Sequence, residues 1–175
     1  VGNGFIAAGN HILVIGQGNG TIDGWLGASI YQQHFGDNKI YAPPPIDLAA
    51  ERAHGSFVRK QILAGKINAA HDISDGGLAV TIAEMAMKSG FGATITAPKS
   101  DQLHAWAFGE DQARFVVSTA ESAALVAAAK DAGLEITKIG IVSEDSQLNF
   151  GDHDTISITE VKAVFESCIP SLMAG

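Results

Sequence analysis

The 175-residue sequence contains a single cysteine, Cys168, so it cannot form an internal disulfide. This excludes the class of small secreted domains held by disulfides and favours a reducing compartment, with the cytoplasm as the expected location. The apolar neighbours Val164, Phe165 and Ile169 predict that the thiol packs in the core. No run approaches the roughly 20 apolar residues that cross a bilayer, and the first residues lack a signal-peptide pattern, so no membrane association is expected.

Basic residues are also scarce. Eleven Lys and Arg stand against nineteen Asp and Glu, which gives a formal net charge of -8. A protein that follows a nucleic-acid backbone needs a basic surface, so neither DNA nor RNA is an expected partner. The histidines are scattered without an i, i+4 pair, so a zinc site is not expected. In contrast, 46% of the residues are hydrophobic and 17% are charged, which is enough to bury a core as one domain.

Hydrophobic periodicity predicts interleaved helices and strands. Strands are expected at 11–15, 67–70, 92–97, 114–119 and 134–142, with a hairpin around 151–154; helices are expected at 25–35, 47–64, 101–108 and 120–132 and from about 76 and 159. The helix at 47–64 is expected to turn Leu48, Phe57, Val58, Ile62 and Leu63 inward. The order predicts an α/β (α+β) fold, with a mixed β-sheet layered with α-helices, in a single domain over 1–175.

Two segments resemble ligand sites but are interpreted more simply. The glycine-rich segment 16–24 has neither the lysine of a Walker loop nor the spacing of a dinucleotide fingerprint, so a turn is favoured over a phosphate cradle. Asp152, His153 and Asp154 could suggest a metal site. A turn of this composition between two strands is usually solvated, so no metal is expected there.

The sequence HDISDGGL at 71–78 concentrates polar chemistry where a strand is expected to pass into a helix. Asp72, Ser74 and Asp75 can accept hydrogen bonds from the free amides of a first helical turn, while Gly76 and Gly77 allow a phosphate or another backbone to approach. One interpretation is helix capping alone. The other makes Asp72 a ligand for Mg²⁺, which takes few carboxylates and retains water or phosphate oxygens. Both roles can coexist, with Asp75 as the cap.

HDISDGGL together with FGEDQARFVVS at 108–118 resembles the synthetase subunit of phosphoribosylformylglycinamidine synthase, within the aminoimidazole ribonucleotide synthetase superfamily. The resemblance covers nearly the whole chain. It implies the C-terminal-domain fold of that superfamily, and it places the chain as the C-terminal half-domain of the second repeat. The sequence is therefore expected to be a fragment of a longer chain.

The resemblance also implies a reaction: ATP-dependent conversion of formylglycinamide ribonucleotide, with ammonia from glutamine, in purine biosynthesis. It implies ATP and Mg²⁺ as cofactors, Asp72 as a metal ligand, and Gly76 and Gly77 as nucleotide or phosphate contacts. Residues 110–112 (Glu110, Asp111 and Gln112) match a triplet that contacts substrate.

No catalytic residue is assigned to this segment, so the isolated chain is expected to fold without catalysing the reaction. The implied partners are the remaining half-domains, a glutaminase and a small accessory subunit. Two other functions stay open, namely a stand-alone module that binds a nucleotide or phosphorylated metabolite, and a thiamine-monophosphate kinase of the same superfamily. The FGEDQAR segment favours the synthase over the kinase.

Overall fold

A computed structural model of the chain describes residues 1–16, 24–37, 39, 41–99, 102–151 and 154–174. In these ranges seven strands form one sheet: β1 (His11–Ile15), β2 (Ala69–Asp72), β3 (Gly92–Ile95), β4 (Phe115–Thr119), β5 (Ile136–Ser143), β6 (Gln147–Phe150) and β7 (Asp154–Ser157). Their spatial order is β2-β4-β1-β5-β3-β6-β7. The β3–β6 pair is parallel and the other neighbouring pairs are antiparallel, so the sheet is mixed as predicted.

Six helices accompany the sheet within the described residues: α1 (Ile30–Phe35), α2 (Leu48–Leu63), α3 (Gly77–Ser89), α4 (Leu103–Phe108), α5 (Ser122–Asp131) and α6 (Ile158–Met173). The start of α2 follows from local chemistry, because an Asp47 side-chain oxygen accepts hydrogen bonds from the amides of Ala49 and Ala50. Gly90 ends α3 in the left-handed conformation, at φ 82°. The observed bounds of α2 lie within one residue of the expected 47–64, and α3 begins one residue after the expected start at 76.

Hydrophobic residues form one core on each face of the sheet. Along β1, Ile12 and Val14 point to the core shared with α3 and α6, while Leu13 and Ile15 point to the core shared with α2 and α5. This alternation is what a strand covered on both faces requires. The result is a three-layer arrangement of helices, sheet and helices, which confirms the predicted mixed sheet layered with α-helices.

Two helical predictions change in detail. The segment at 25–29 is not helical, because α1 begins only after Ser29, whose hydroxyl accepts a hydrogen bond from the amide of Gln32. On α2, the inward face is centred on Phe57 and Val58. Leu48 and Leu63 lie near its ends and remain exposed, so their predicted burial was wrong.

The prediction that Cys168 packs in the core was also wrong. Cys168 is exposed on α6, as are its neighbours Val164, Phe165 and Ile169. Apolar neighbours in the sequence had indicated burial, but no other described element of the domain buries this part of α6. No helix in the described part of the chain is long and apolar enough to cross a membrane.

The two segments with a glycine-rich or Asp-His pattern can be described only in part. Residues 17–23 of the glycine-rich segment, and residues 152 and 153 of the β6–β7 hairpin, lie outside the described residues, as does residue 101 at the start of the predicted fourth helix. The hairpin itself is present, since β6 and β7 pair antiparallel.

Candidate functional site

The sequence HDISDGGL forms the turn between β2 and α3. Asp72 is the last residue of β2, where it pairs in register with Phe115 of β4. The amide of Ile73 then donates to the carbonyl oxygen of Arg114 at 2.9 Å, and the Ile73 side chain is buried. Anchoring Ile73 in this way leaves Asp72 and Asp75, on either side of it, exposed to solvent.

Helix α3 is capped from a distant part of the chain. Its N-cap residue, Gly76, has φ 79° and no side chain, and no local side chain caps this helix. The capping role predicted for Asp72, Ser74 and Asp75 is therefore wrong. Instead, Oε1 of Glu110 accepts the Gly76 amide at 2.8 Å. A carboxylate at this position also interacts favourably with the positive end of the helix dipole.

The same carboxylate oxygen joins a third segment to the turn. Oε1 of Glu110 also accepts the amide of Ile30 at 2.9 Å, at the first residue of α1. The amide of Glu110 donates to the carbonyl oxygen of Trp25 at 3.0 Å. Glu110 therefore holds together the segment before α1, the end of α4 and the start of α3, a contact region that we call the Glu110 junction (residues 24–30, 76–77 and 108–111).

Glycines allow the three segments of the Glu110 junction to touch. A Cβ on Gly77 would lie 2.6 Å from the carbonyl carbon of Phe108, and a Cβ on Gly109 would lie 2.5 Å from Cα of Gly24. Contacts this short to backbone atoms exclude any side chain. The second glycine of HDISDGGL is thus required by close backbone packing.

Asp111 and Arg114 extend the Glu110 junction into the interior. Oδ2 of Asp111 accepts the amide of Trp25 at 3.0 Å and lies 3.4 Å from Nη1 of Arg114. The guanidinium is buried, and its Nε has no hydrogen-bond partner among the described residues. Burial lowers the pKa of Arg114, while the charge of Asp111 acts in the opposite direction. Arg114 therefore lies within ion-pair distance of Asp111 in the interior.

His71 joins the end of β2 to α3. Its Nδ1 lies 2.8 Å from the carbonyl oxygen of Asp72, and its Nε2 lies 3.3 Å from Oε2 of Glu84. The imidazole is mostly buried, whereas 69% of the Asp72 side chain is exposed. The same Nδ1 lies 3.4 Å from Oδ1 of Asp72, so the histidine contacts both the backbone and the carboxylate of Asp72 and leaves most of that carboxylate open to solvent.

The predicted phosphate contacts, Gly76 and Gly77, are buried with their amides already engaged. The Gly76 amide donates to Glu110, and the Gly77 amide donates to the carbonyl oxygen of Ser74 at 3.0 Å. A phosphate at these amides would have to displace a bond within the chain. Phosphate binding at Gly76 and Gly77 stays a prediction, and the geometry assigns both glycines a role in packing.

The three residues of the predicted substrate triplet lie in different settings. Glu110 and Asp111 accept backbone amides within the chain, whereas Gln112 is exposed. Substrate contact at these three positions stays a prediction. The sequence indicated acidic chemistry at 110–111 but not its partners, because the amides concerned lie 34 to 86 residues away.

The predicted metal ligand, Asp72, is a single exposed carboxylate, and its metal-binding role stays a prediction. Among the described residues, no group of three His, Cys, Asp or Glu side chains could hold a metal ion. An exposed single carboxylate does not make a closed site, but it does fit Mg²⁺ bound jointly with phosphate oxygens and water. Asp72 therefore suits a metal–nucleotide complex better than a resident ion.

The fold and this turn define the chain as a C-terminal domain of the aminoimidazole ribonucleotide synthetase type. The family model "AIR synthase related protein, C-terminal domain" matches residues 7–153, and the chain belongs to that family. The family expected from HDISDGGL and the FGEDQAR segment is therefore confirmed.

More particularly, the chain is similar to subunit PurL of phosphoribosylformylglycinamidine synthase. It is 44% identical over 173 residues to the subunit from Methylocella silvestris and 45% identical over 174 residues to that from Bradyrhizobium sp. BTAi1. Both matches cover 98% of this chain and 23% of the relative. The chain thus spans about a quarter of the length of these relatives.

Solved structures show the same fold. Thermotoga maritima PurL complexed with FGAR superposes with a TM-score of 0.73 and 16% identity, covering 93% of this chain and 29% of that one. Escherichia coli HypE, a hydrogenase maturation protein, gives a TM-score of 0.57 and 18% identity, covering 87% of this chain and 49% of that one. At such identities the comparison supports the architecture alone.

Proposed function

We propose that this chain is a domain of a phosphoribosylformylglycinamidine synthase, specifically the C-terminal half-domain of the second repeat of a longer synthetase subunit. The observation that carries the proposal is the 41–45% identity to PurL subunits over 98% of the chain. The relatives' greater length supports partnership with further half-domains of the same subunit. A glutaminase, a small accessory subunit and a cytoplasmic location complete the proposal.

The proposed reaction phosphorylates the amide oxygen of formylglycinamide ribonucleotide with ATP, after which ammonia replaces the phosphate. Phosphoryl transfer of this kind needs cations placed around the reacting phosphate. Near the HDISDGGL turn, Arg114 is buried beside Asp111, and Lys88 and Lys162 line a groove with His71 that Glu84 and Glu166 also line. We infer that the isolated chain does not catalyse the reaction because the charge neutralisation must come from other half-domains.

Asp72 would contribute a ligand to Mg²⁺ at a nucleotide site completed by those half-domains. Three features support this role: Asp72 ends a strand, its side chain is exposed, and the contact of His71 with one carboxylate oxygen at 3.4 Å leaves the rest of the carboxylate open. The metal would supply charge neutralisation for the phosphate oxygens. The chain's own contribution is an exposed carboxylate at the end of the edge strand β2.

A chimeric subunit tests the function. The matched quarter of the Methylocella silvestris subunit is replaced by this chain, and the chimera is expected to restore growth of a bacterium lacking its own synthase. The isolated chain is expected to give no ligase turnover. Turnover by the isolated chain, or failure of a folded chimera to support growth, would contradict the proposal.

The metal role is tested in the same chimera by titration of ADP with and without Mg²⁺. Asp72→Asn is expected to weaken Mg²⁺-dependent binding at least about tenfold, since loss of even an outer-shell partner of a metal ligand weakens metal affinity about 10- to 100-fold. Asp75→Asn is the matched control, since it removes an exposed carboxylate three residues away. Equal weakening by both variants would show a general charge effect. Micromolar binding by the isolated chain would instead favour the stand-alone module.

A further inference from the structure

From Val164 to Met173, about three turns of α6 carry a largely exposed apolar surface. Five large side chains are 63–83% exposed: Val164, Phe165, Ile169, Leu172 and Met173. Together with the exposed Cys168 they lie on one side of the helix, and we call these six residues the C-terminal stripe. Contiguous apolar patches of this kind mark interaction surfaces in proteins that remain soluble.

The stripe continues the face by which α6 packs on the domain. Ile158 is buried in the core, and Val161 and Phe165 line a groove of about 430 Å³ against α3, near Val80 and Met87. Helix α3 then ends at Ser89, while α6 continues for two more turns after Phe165. The same face that is covered at the start of α6 therefore loses its cover toward its end.

The comparisons indicate which proteins share this helix. The family model stops at residue 153, before α6 begins, whereas the PurL relatives match 98% of the chain and so include nearly all of α6. The sequence segment that forms α6 is thus matched in the synthase relatives, although it lies outside the general domain model. Those relatives also carry more than three quarters of their length outside the match.

We propose that the C-terminal stripe docks against an apolar face of the remainder of the synthetase subunit, within the same polypeptide. This inference rests on the proposed function, because the surface that would cover the stripe belongs to the proposed synthetase subunit. The occupant is expected to be apolar, since the stripe contains no charged side chain. Lys162 and Glu166, which pair at 3.7 Å, lie beside it and would remain at the rim.

Cys168 provides the test, since it is the only cysteine of the chain and lies within the stripe. Its alkylation rate is measured by peptide mass spectrometry in the isolated chain and in the Methylocella chimera described above. We expect the isolated chain to react as an exposed thiol does and the chimera to react at least about tenfold more slowly. Equal rates in a folded chimera would overturn the proposal.

Variants separate docking from other effects. Phe165→Glu with Ile169→Glu is expected to restore rapid alkylation in the chimera, while Leu63→Glu, at an equally exposed apolar residue on α2, leaves it slow. The isolated chain gives a test that does not depend on the chimera folding. If the alkylation rate of its thiol falls as the protein concentration rises, a second copy covers the stripe and the proposal is overturned. Growth support by a chimera with an unprotected thiol would reject the docking surface and leave the proposed function standing.

Discussion

Replacing Glu110 with alanine removes the one carboxylate oxygen that accepts the amides of both Gly76 and Ile30. Hydrogen bonds to charged groups contribute about 1.5–3 kcal/mol each in favourable settings. The Ile30 amide is exposed and can bind water after the change, so its loss costs little. The Gly76 amide belongs to a buried residue and starts α3, so its loss accounts for most of the effect.

We therefore expect Glu110→Ala to lower the free energy of unfolding by about 2–3 kcal/mol, which includes the lost interaction with the helix dipole. For a chain of this size the melting temperature should fall by about 4–12 °C. Glu110→Gln keeps an acceptor oxygen without the charge and should lose about half as much. Urea unfolding followed by circular dichroism measures all three proteins.

Glu121→Ala is the matched control. Glu121 also precedes a helix, α5, but its side chain makes no capping hydrogen bond. Its replacement should change the free energy of unfolding by no more than about 0.5 kcal/mol. If Glu110→Ala and Glu121→Ala have equal effects, the reasoning that Glu110 holds three segments together is refuted.

Three further predictions concern single sites. Gly77 and Gly133 both have φ 69°, but only at Gly77 would an added Cβ lie against backbone atoms. In urea unfolding, Gly133→Ala should therefore lower the free energy of unfolding by about 1 kcal/mol and Gly77→Ala by at least about 3 kcal/mol. Equal costs would show that the close approach is not needed. Asp47→Ala should remove about 1 kcal/mol of stability whereas Asp47→Asn should not, because asparagine caps nearly as well; equal losses would contradict the cap. Hydrogen bonding from Ser143 lowers the pKa of Asp145 below 3.8, so its stabilising effect is present at neutral pH and is lost as pH falls through the lowered value. The stability difference between wild type and Asp145→Asn should therefore shrink in acid; a constant difference would contradict this assignment.

Local signals predicted most of the fold. The bounds expected for β1, for α2 and for the start of α3 lie within one residue of those observed, because they depend on residues close together in the chain. Such short-range chemistry can be recognised in one sequence. The mixed sheet followed from the order of these elements.

The exposure of individual side chains was predicted less well, because it depends on which other elements pack against them. Leu48, Leu63 and Cys168 have apolar neighbours in the sequence and yet lie at the surface. Helix periodicity identifies an apolar face, but it does not show how far along the helix that face is covered. The ends of α2 and α6 extend beyond the layers that would bury them.

The sequence by itself determined the family, the order of helices and strands, and the two segments, 71–78 and 108–118, that meet at the candidate site. Only the tertiary structure decided that Glu110 caps α3, that Gly77 is needed for close backbone packing, and that Asp72 remains open to solvent. The physical reason is the distance along the chain. Caps and periodicity act between near neighbours, whereas the partners of Glu110 are brought to it only when the sheet pairs and its helices pack.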